Sequence, residues 1–189
     1  KPQDWNSLLA DPEVVLIDTR NDYEVAIGTF RGAINPHIRT FTELPGWLDA
    51  QPQLKGDKKP KVAMFCTGGI RCEKAGPFME QAGFKNVHQL DGGILKYFEE
   101  CGGAHYEGEC FVFDKRVGVD PALRETDSVM CFACQMPLTA AEQRDPRYVP
   151  DVSCPRCWTK EKTRTCDARF KWCPHGESNP GLKNENLLS

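Results

Sequence analysis

Residues 61–71 read Lys61-Val62-Ala63-Met64-Phe65-Cys66-Thr67-Gly68-Gly69-Ile70-Arg71, and the fold prediction starts from this run. The first five residues predict a strand that leads directly into Cys66. The two glycines that follow permit a tight turn before a helix. In open α/β sheets, sites form beyond the carboxyl ends of strands. Cys66 is therefore placed where a functional group is expected.

Strands and helices alternate on both sides of this run. The predicted strands are 14–17, 61–65 and 86–90, and the predicted helices are 22–26, 42–48, 93–101 and the segment that follows Gly69. Pro77 lies inside that last segment and is expected to kink it. The alternation predicts an α/β fold with a largely parallel sheet flanked by helices. Beyond it, residues 109–112 and 117–119 are predicted to form a β-hairpin.

Cys66 is the candidate catalytic residue, together with Arg71. Backbone amides of the loop Thr67, Gly68, Gly69 and Ile70 can converge on the sulfur and cradle an anion or a persulfide, and the helix dipole adds positive potential. Arg71 is expected to contribute a full charge. These groups predict an accessible thiol with a pKa below the free-thiol value of about 8.5. The alternative is an inert buried cysteine, which would need neither the glycines nor Arg71.

Cys72 is a possible resolving thiol for the same site. It could attack a persulfide or a sulfenate on Cys66 and form a disulfide. A cysteine in the first turn of a helix that faces the core is, alternatively, a packing residue.

The chain has 189 residues and ten cysteines, six of them between Cys131 and Cys173. No export signal and no apolar run of roughly 18 residues is present, which predicts a cytoplasmic protein with no membrane association. Metal or thiol chemistry is then favoured over a disulfide framework. The pairs Cys131/Cys134 and Cys154/Cys157 predict one structural zinc ion held by four thiolates. Disulfides or redox dithiols remain the alternative.

The net charge of −3 does not indicate a nucleic-acid-binding protein, but the charge is unevenly distributed. Residues 155–175 contain six basic and two acidic residues, with tryptophan and phenylalanine among them. Cationic side chains near aromatic faces suit a phosphate backbone and stacked bases. The predicted RNA-binding residues are Arg156, Lys160, Lys162 and Arg164, and the alternative is a solvated, charged tail.

The composition divides the chain into three parts. Residues 1–102 are predicted to form the α/β domain, and residues 103–175 a cysteine-rich module. This module is expected to need a bound metal ion for its stability. Residues 176–189 are predicted to be a tail that is either disordered or an artificial addition to the natural protein.

The four residues between Cys66 and Arg71 resemble the active-site loop of the rhodanese family, whereas phosphotyrosine phosphatases place five there. Residues 16–20 with 32–35 resemble the first rhodanese signature, and residues 91–94 the last. The resemblance covers about residues 1–102. It implies a rhodanese-like sheet and gives Asp18 and Arg20 a structural role.

A narrower resemblance covers most of the chain. The runs 66–74, 91–100 and 108–117, followed by the paired cysteines, are similar to the rhodanese-containing tRNA uridine hydroxylases. That resemblance implies oxygen-dependent hydroxylation of the tRNA wobble uridine to 5-hydroxyuridine, with molecular oxygen as co-substrate and tRNA as partner. It also implies an N-terminal ferredoxin-like domain that this sequence lacks, so a truncated chain is expected.

Two other functions remain open. The chain is alternatively a sulfurtransferase that carries a persulfide on Cys66, or a non-enzymatic, zinc-stapled adaptor. The hydroxylase mechanism is open as well. The Cys66 thiolate could add to C6 of the uracil, or Cys66 could carry the oxygen as a sulfenic acid.

Overall fold

The computed structural model describes residues 1–54 and 59–159. The helices are α1 (Pro2–Leu9), α2 (Asp22–Val25), α3 (Leu44–Ala50), α4 (Ile70–Gln81) and α5 (Gly93–Cys101), with short 3-10 helices at Phe41–Glu43, Pro52–Leu54 and Glu142–Arg144. The strands are β1 (Val14–Asp18), β2 (Gly28–Phe30), β3 (Lys61–Phe65), β4 (Val87–Gln89), β5 (Tyr106–Gly108), β6 (Cys110–Phe111), β7 (Gly118–Val119), β8 (Val129–Met130) and β9 (Pro137–Leu138). None of the helices in this described part is long and apolar enough to cross a membrane.

The central sheet is parallel, with the strand order β1-β3-β4. Ile34 extends it by one parallel bridge to Ile17. The predicted strands at 14–17 and 61–65 and the predicted α/β fold class are confirmed. The predicted helix at 42–48 is present as a 3-10 turn that continues into α3.

The sheet is buried on both faces, which explains the apolar composition of β3. Ala63 and Phe65 contribute to one hydrophobic cluster, while Val62 and Met64 contribute to a second. This alternation is the period of two that a strand imposes on its side chains. Cys66 continues the pattern and belongs to the second cluster.

Pro77 does not end the helix that follows the Cys66 loop. α4 runs from Ile70 to Gln81 with Pro77 inside it and exposed. A proline normally pushes the preceding residue out of the α region because its ring clashes with that residue's Cβ. Gly76 precedes Pro77 and has no Cβ, so this obstacle is reduced.

The first compact unit extends beyond the sequence-based boundary at residue 102. It comprises residues 1–130 and 136–140. β5 pairs with β2 in antiparallel orientation, and Tyr106 belongs to the first hydrophobic cluster. The predicted hairpin is present as β6 paired with β7. A second unit comprises residues 131–135 and, within the described part, 141–159.

Candidate active site and cysteine cluster

The candidate active site lies where β1 and β3 end side by side. Asp18 is in register with Phe65, so the residue after each of them, Thr19 and Cys66, stands at the same edge of the sheet. The Thr19 backbone N–H and the Thr19 hydroxyl both donate to the Phe65 carbonyl oxygen, at 3.0 and 2.9 Å. The parallel pairing therefore places the Cys66 loop at the carboxyl edge that the sequence predicts.

The sulfur of Cys66 lies among hydrogen-bond donors. The Gly69 N–H donates to Sγ at 3.1 Å. The pKa of the Cys66 thiol is lowered to about 6, chiefly because the Cys72 side chain donates a hydrogen bond to the sulfur. The N–H groups of Cys72 and Arg71 add to this lowering and offset the desolvation that burial causes. Cys66 is therefore mostly thiolate at neutral pH.

Glycines at the start of α4 and α5 allow the loop to be this tight. Gly69 has φ = 91°, a conformation that side chains rarely adopt. A Cβ on Gly93 would lie 2.5 Å from the carbonyl oxygens of both Cys66 and Thr67. The Ile94 N–H donates to the Cys66 carbonyl at 3.0 Å, and the Leu95 N–H donates to that of Thr67 at 3.2 Å. The first turn of α5 thus binds the carbonyls of the loop.

Arg71 is paired with a buried carboxylate that the sequence analysis missed. Its two terminal nitrogens donate to Glu24, Nη1 to Oε2 at 2.7 Å and Nη2 to Oε1 at 2.8 Å. The Thr67 hydroxyl and the Asn21 N–H also donate to this fully buried carboxylate. The signal in the sequence was the position of Glu24, three residues after a helix-capping asparagine.

This ion pair makes the contribution of the Arg71 charge to the thiol pKa smaller than expected. Because Glu24 compensates the guanidinium charge, Arg71 does not act as an isolated cation. Its charge is the smallest of the named causes that lower the pKa of Cys66. The neighbouring Cys72 thiol and the backbone N–H groups contribute more.

The expectation of an accessible thiol is wrong for this conformation. Cys66 is only 2% exposed, whereas Ile70 in the same loop is 68% exposed. Gly68 borders open space, since a Cβ built there would meet no atom within 4 Å. The loop thus presents Gly68 and Ile70 to solvent and keeps the sulfur beneath them.

Cys72 is fully buried behind the loop. Its Sγ lies 3.6 Å from the hydroxyl of Thr19. The hydrogen bond with Cys66, together with burial, raises the pKa of Cys72 well above its usual value. Cys72 therefore remains a protonated thiol that stabilises the Cys66 thiolate. Its role as a resolving thiol stays a prediction.

The second unit contains the four cysteines of the paired motifs. The sulfur atoms of Cys131, Cys134, Cys154 and Cys157 all lie within 4.8 Å of one another. Three of the separations are 3.6 Å (Cys134 to Cys154), 3.7 Å (Cys154 to Cys157) and 4.0 Å (Cys131 to Cys157). A tetrahedral ion with metal–sulfur bonds of about 2.3 Å requires sulfur atoms about 3.8 Å apart. The cluster could therefore hold a metal ion, and its distances are too long for disulfide bonds of about 2.05 Å.

Of the predicted RNA-binding residues, only Arg156 is described. Its guanidinium donates to Glu142, with Nη2 at 2.7 Å and Nε at 3.1 Å from Oε1. Lys160, Lys162 and Arg164 lie outside the described residues.

Comparison with known proteins shows the family. Residues 1–100 match the family described as Rhodanese-like domain, so the chain belongs to the rhodanese-like family. It is also 52% identical over 172 residues to a tRNA uridine(34) hydroxylase of Acaryochloris marina, covering 90% of this chain and 54% of that protein. The chain thus spans about half the length of the curated relative it matches.

The chain also resembles solved structures that are named as rhodanese-related or rhodanese-like proteins. A rhodanese-related protein from Thermoplasma volcanium is 25% identical, with 53% of this chain and 89% of that chain covered and a TM-score of 0.40. A rhodanese-like domain protein from Staphylococcus aureus is 25% identical, with 49% and 82% covered and a TM-score of 0.39.

Proposed function

We propose that this chain takes part in hydroxylating the wobble uridine of tRNA to 5-hydroxyuridine, with Cys66 as the nucleophile. The observation that carries the proposal is the environment of the Cys66 sulfur. It accepts hydrogen bonds from the Gly69 N–H and the Cys72 thiol, and its pKa of about 6 makes it a thiolate at neutral pH. The 52% identity to a protein named tRNA uridine(34) hydroxylase supports the choice of substrate.

A thiolate is the group that this chemistry needs. Addition of the thiolate to C6 of the uracil forms a carbon–sulfur bond and moves an electron pair toward C5. C5 then attacks the oxidant, for which the resemblance implies molecular oxygen. One oxygen atom stays on C5 as the hydroxyl group, and the other leaves as water, which needs two electrons from a thiol reductant supplied from outside the chain. Loss of the C5 proton then expels the Cys66 thiolate and restores the C5=C6 double bond. The second route, in which Cys66 carries the oxygen as a sulfenic acid, uses the same residue.

The other loop residues have supporting roles in this proposal. Of the four loop amides expected to cradle the sulfur, those of Thr67, Gly68, Gly69 and Ile70, the Gly69 N–H donates to it. The N–H groups of Arg71 and Cys72 add to this cradle, and Arg71 closes the loop through its ion pair with Glu24. Because Cys66 is 2% exposed, a base reaches it only after the loop moves at Gly68, which borders open space.

A sulfurtransferase is the second candidate function. The observation that favours it is the burial of Cys66, because a small sulfur donor needs less access than a nucleotide. The same amide cradle would hold a persulfide on Cys66. A non-enzymatic adaptor is disfavoured because it would need neither the thiolate nor the Glu24–Arg71 pair.

Zinc is the metal that we assign to the four-cysteine cluster. Four thiolates at tetrahedral separations are typical of structural zinc, which keeps no open coordination position. The ion would be held by Cys131, Cys134, Cys154 and Cys157. It would stabilise a unit that has little apolar sequence. Arg156, Lys160, Lys162 and Arg164 remain the proposed tRNA-binding residues of this region, and a cytoplasmic location remains a prediction.

Substitution of Cys66 separates the two enzyme functions. Cys66→Ala in the gene that encodes the chain should abolish 5-hydroxyuridine in tRNA, measured by nucleoside mass spectrometry, because no other thiol occupies the amide cradle. Cys101→Ala is the matched control, since Cys101 is half-buried and lies outside the loop. Normal 5-hydroxyuridine in the Cys66→Ala strain, together with loss of sulfur transfer from thiosulfate, would favour the sulfurtransferase.

A further inference from the structure

Two large apolar side chains are strongly exposed among the described residues of the first unit, and both adjoin Arg71. Ile70, which is 68% exposed, precedes Arg71 in the loop. Phe113, which is 66% exposed, comes from a different part of the chain, and the centre of its ring lies 5.8 Å from the Arg71 guanidinium carbon. An aromatic ring that leaves about two thirds of its surface in solvent buries little apolar area against the core.

Phe113 is held in a defined position by the turn between β6 and β7, here called the hairpin tip (residues 112–117). The Val112 N–H donates to the Val117 carbonyl at 2.9 Å, which closes the turn. Val117 has φ = 59°, which is unfavourable for a β-branched residue. Such strain persists where the surrounding structure enforces it, and it is concentrated at functional sites.

The ring of Phe113 contacts Phe111 as well as Arg71. It packs edge-on against Phe111, with ring centres 5.2 Å apart, and Phe111 in turn packs edge-on against Tyr23. Phe111 is buried, so Phe113 packs against a buried side chain while most of its own surface faces solvent.

The hairpin tip presents one exposed cation. Lys115 is exposed, and within residues 1–54 and 59–159 it forms no ion pair. A groove of about 490 Å³ beside the tip is lined by apolar side chains and by Lys96, Glu99 and Arg116, and it begins at Gly92. The charges of Lys96 and Arg116 are compensated by Asp91 and Asp114, each at 2.7 Å. The Gly92 backbone lies close to Gly69, since a Cβ on Gly69 would be 3.4 Å from the Gly92 nitrogen. The groove therefore borders the Cys66 loop.

We propose that Phe113 stacks on an unpaired base of the RNA substrate next to the target uridine, while Lys115 contacts the adjoining phosphate. The inference rests on the proposed function and names residues that would position its substrate. Single-stranded RNA is typically recognised by bases stacked on aromatic side chains and by cations along the backbone. Two side chains are far too small a surface for a stable protein partner, which needs about 800 Å² on each side.

The test uses an anticodon stem-loop RNA with 2-aminopurine beside the wobble uridine, titrated with the complete chain. Stacking on Phe113 should quench the 2-aminopurine fluorescence. Phe113→Ala should weaken binding roughly 5- to 150-fold and remove the quench, whereas Phe113→Trp should retain both. Phe132→Ala is the matched control, because Phe132 is 72% exposed and belongs to the second unit.

Equal binding and quenching by wild type and Phe113→Ala would overturn the inference, as would a Phe113→Trp variant that behaves like Phe113→Ala. It would also fall if Phe113→Ala abolished self-association in sedimentation while RNA binding was unchanged, because a second copy would then cover the ring. The proposed function is tested separately in cells. Loss of 5-hydroxyuridine with Cys66→Ala but not with Phe113→Ala would contradict only the role of Phe113.

Discussion

The Cys66–Cys72 pair and the four-cysteine cluster both bring sulfur atoms together, but the two groups differ in the number and arrangement of their sulfurs. In the pair, one thiol has a pKa of about 6 and the other has a pKa raised well above the usual value, so one sulfur is charged and the other donates to it. In the cluster, burial opposes ionisation of Cys157, but the N–H of Cys154 and the three neighbouring thiols still lower its pKa to about 7, while burial raises the pKa of Cys154. A pair with one charged sulfur suits a nucleophile, whereas four sulfurs within 4.8 Å of one another suit a metal ion.

The largest expected effect of this difference is on folding of the second unit. Removal of the metal with a chelator, or the change Cys154→Ser, should unfold the cluster region, because structural zinc supplies about 10–16 kcal/mol of binding free energy in small modules. Elemental analysis should find about one zinc ion per chain. Hydrogen exchange should show loss of protection in residues 131–135 and 141–159, with the parallel sheet unaffected.

The control for the cluster is Cys66→Ser, which should leave the zinc content unchanged. Disulfide bonds among the four cysteines under reducing conditions would contradict the metal assignment.

A smaller effect is expected at the carboxylate that holds Arg71. Glu24→Gln leaves the guanidinium without its charged partner, and removing one member of a buried ion pair costs about 3–5 kcal/mol. The lower end is expected here because the Arg71 side chain is 18% exposed. Urea denaturation should show this loss in the free energy of unfolding.

The matched control for Glu24 is Glu107→Gln, which breaks the exposed pair with Arg31 and should cost less than about 1 kcal/mol. Equal losses of unfolding free energy in the two variants would contradict a special role of Glu24 in stabilising the loop.

The sequence predicts the part of the candidate site whose residues lie close together along the chain. The strand, the two glycines and the helix start around Cys66 lie within one short run, so their arrangement follows from the run itself. Glu24 lies 47 residues from Arg71, and only the parallel pairing of β1 with β3 brings the two together. The position of Glu24 after Asn21 indicates a helix cap but not the cation that it binds.

Two other features depend on packing that the sequence does not encode locally. The compact unit extends past residue 102 because β5 pairs with β2, and both strands have only three residues. The burial of Cys66 depends on how closely α5 approaches the loop at Gly93. The glycine is visible in the sequence, but the atoms that it accommodates are not.

Ionisation of Cys66 is the property on which the proposed chemistry depends. Cys72→Ala removes the thiol that donates to the sulfur and should raise the pKa of Cys66 above the wild-type value. Cys101→Ala should leave it unchanged.

The most direct test is an NMR titration of ¹³Cβ-labelled cysteine in the complete chain, which needs no reagent to reach the buried sulfur. The Cys66 signal, assigned by its absence in Cys66→Ala, should titrate with a midpoint near pH 6. Because the lowered pKa favours the charged form, the thiolate should dominate above that pH and be lost below it. A midpoint at or above the free-thiol value of about 8.5 would contradict the account.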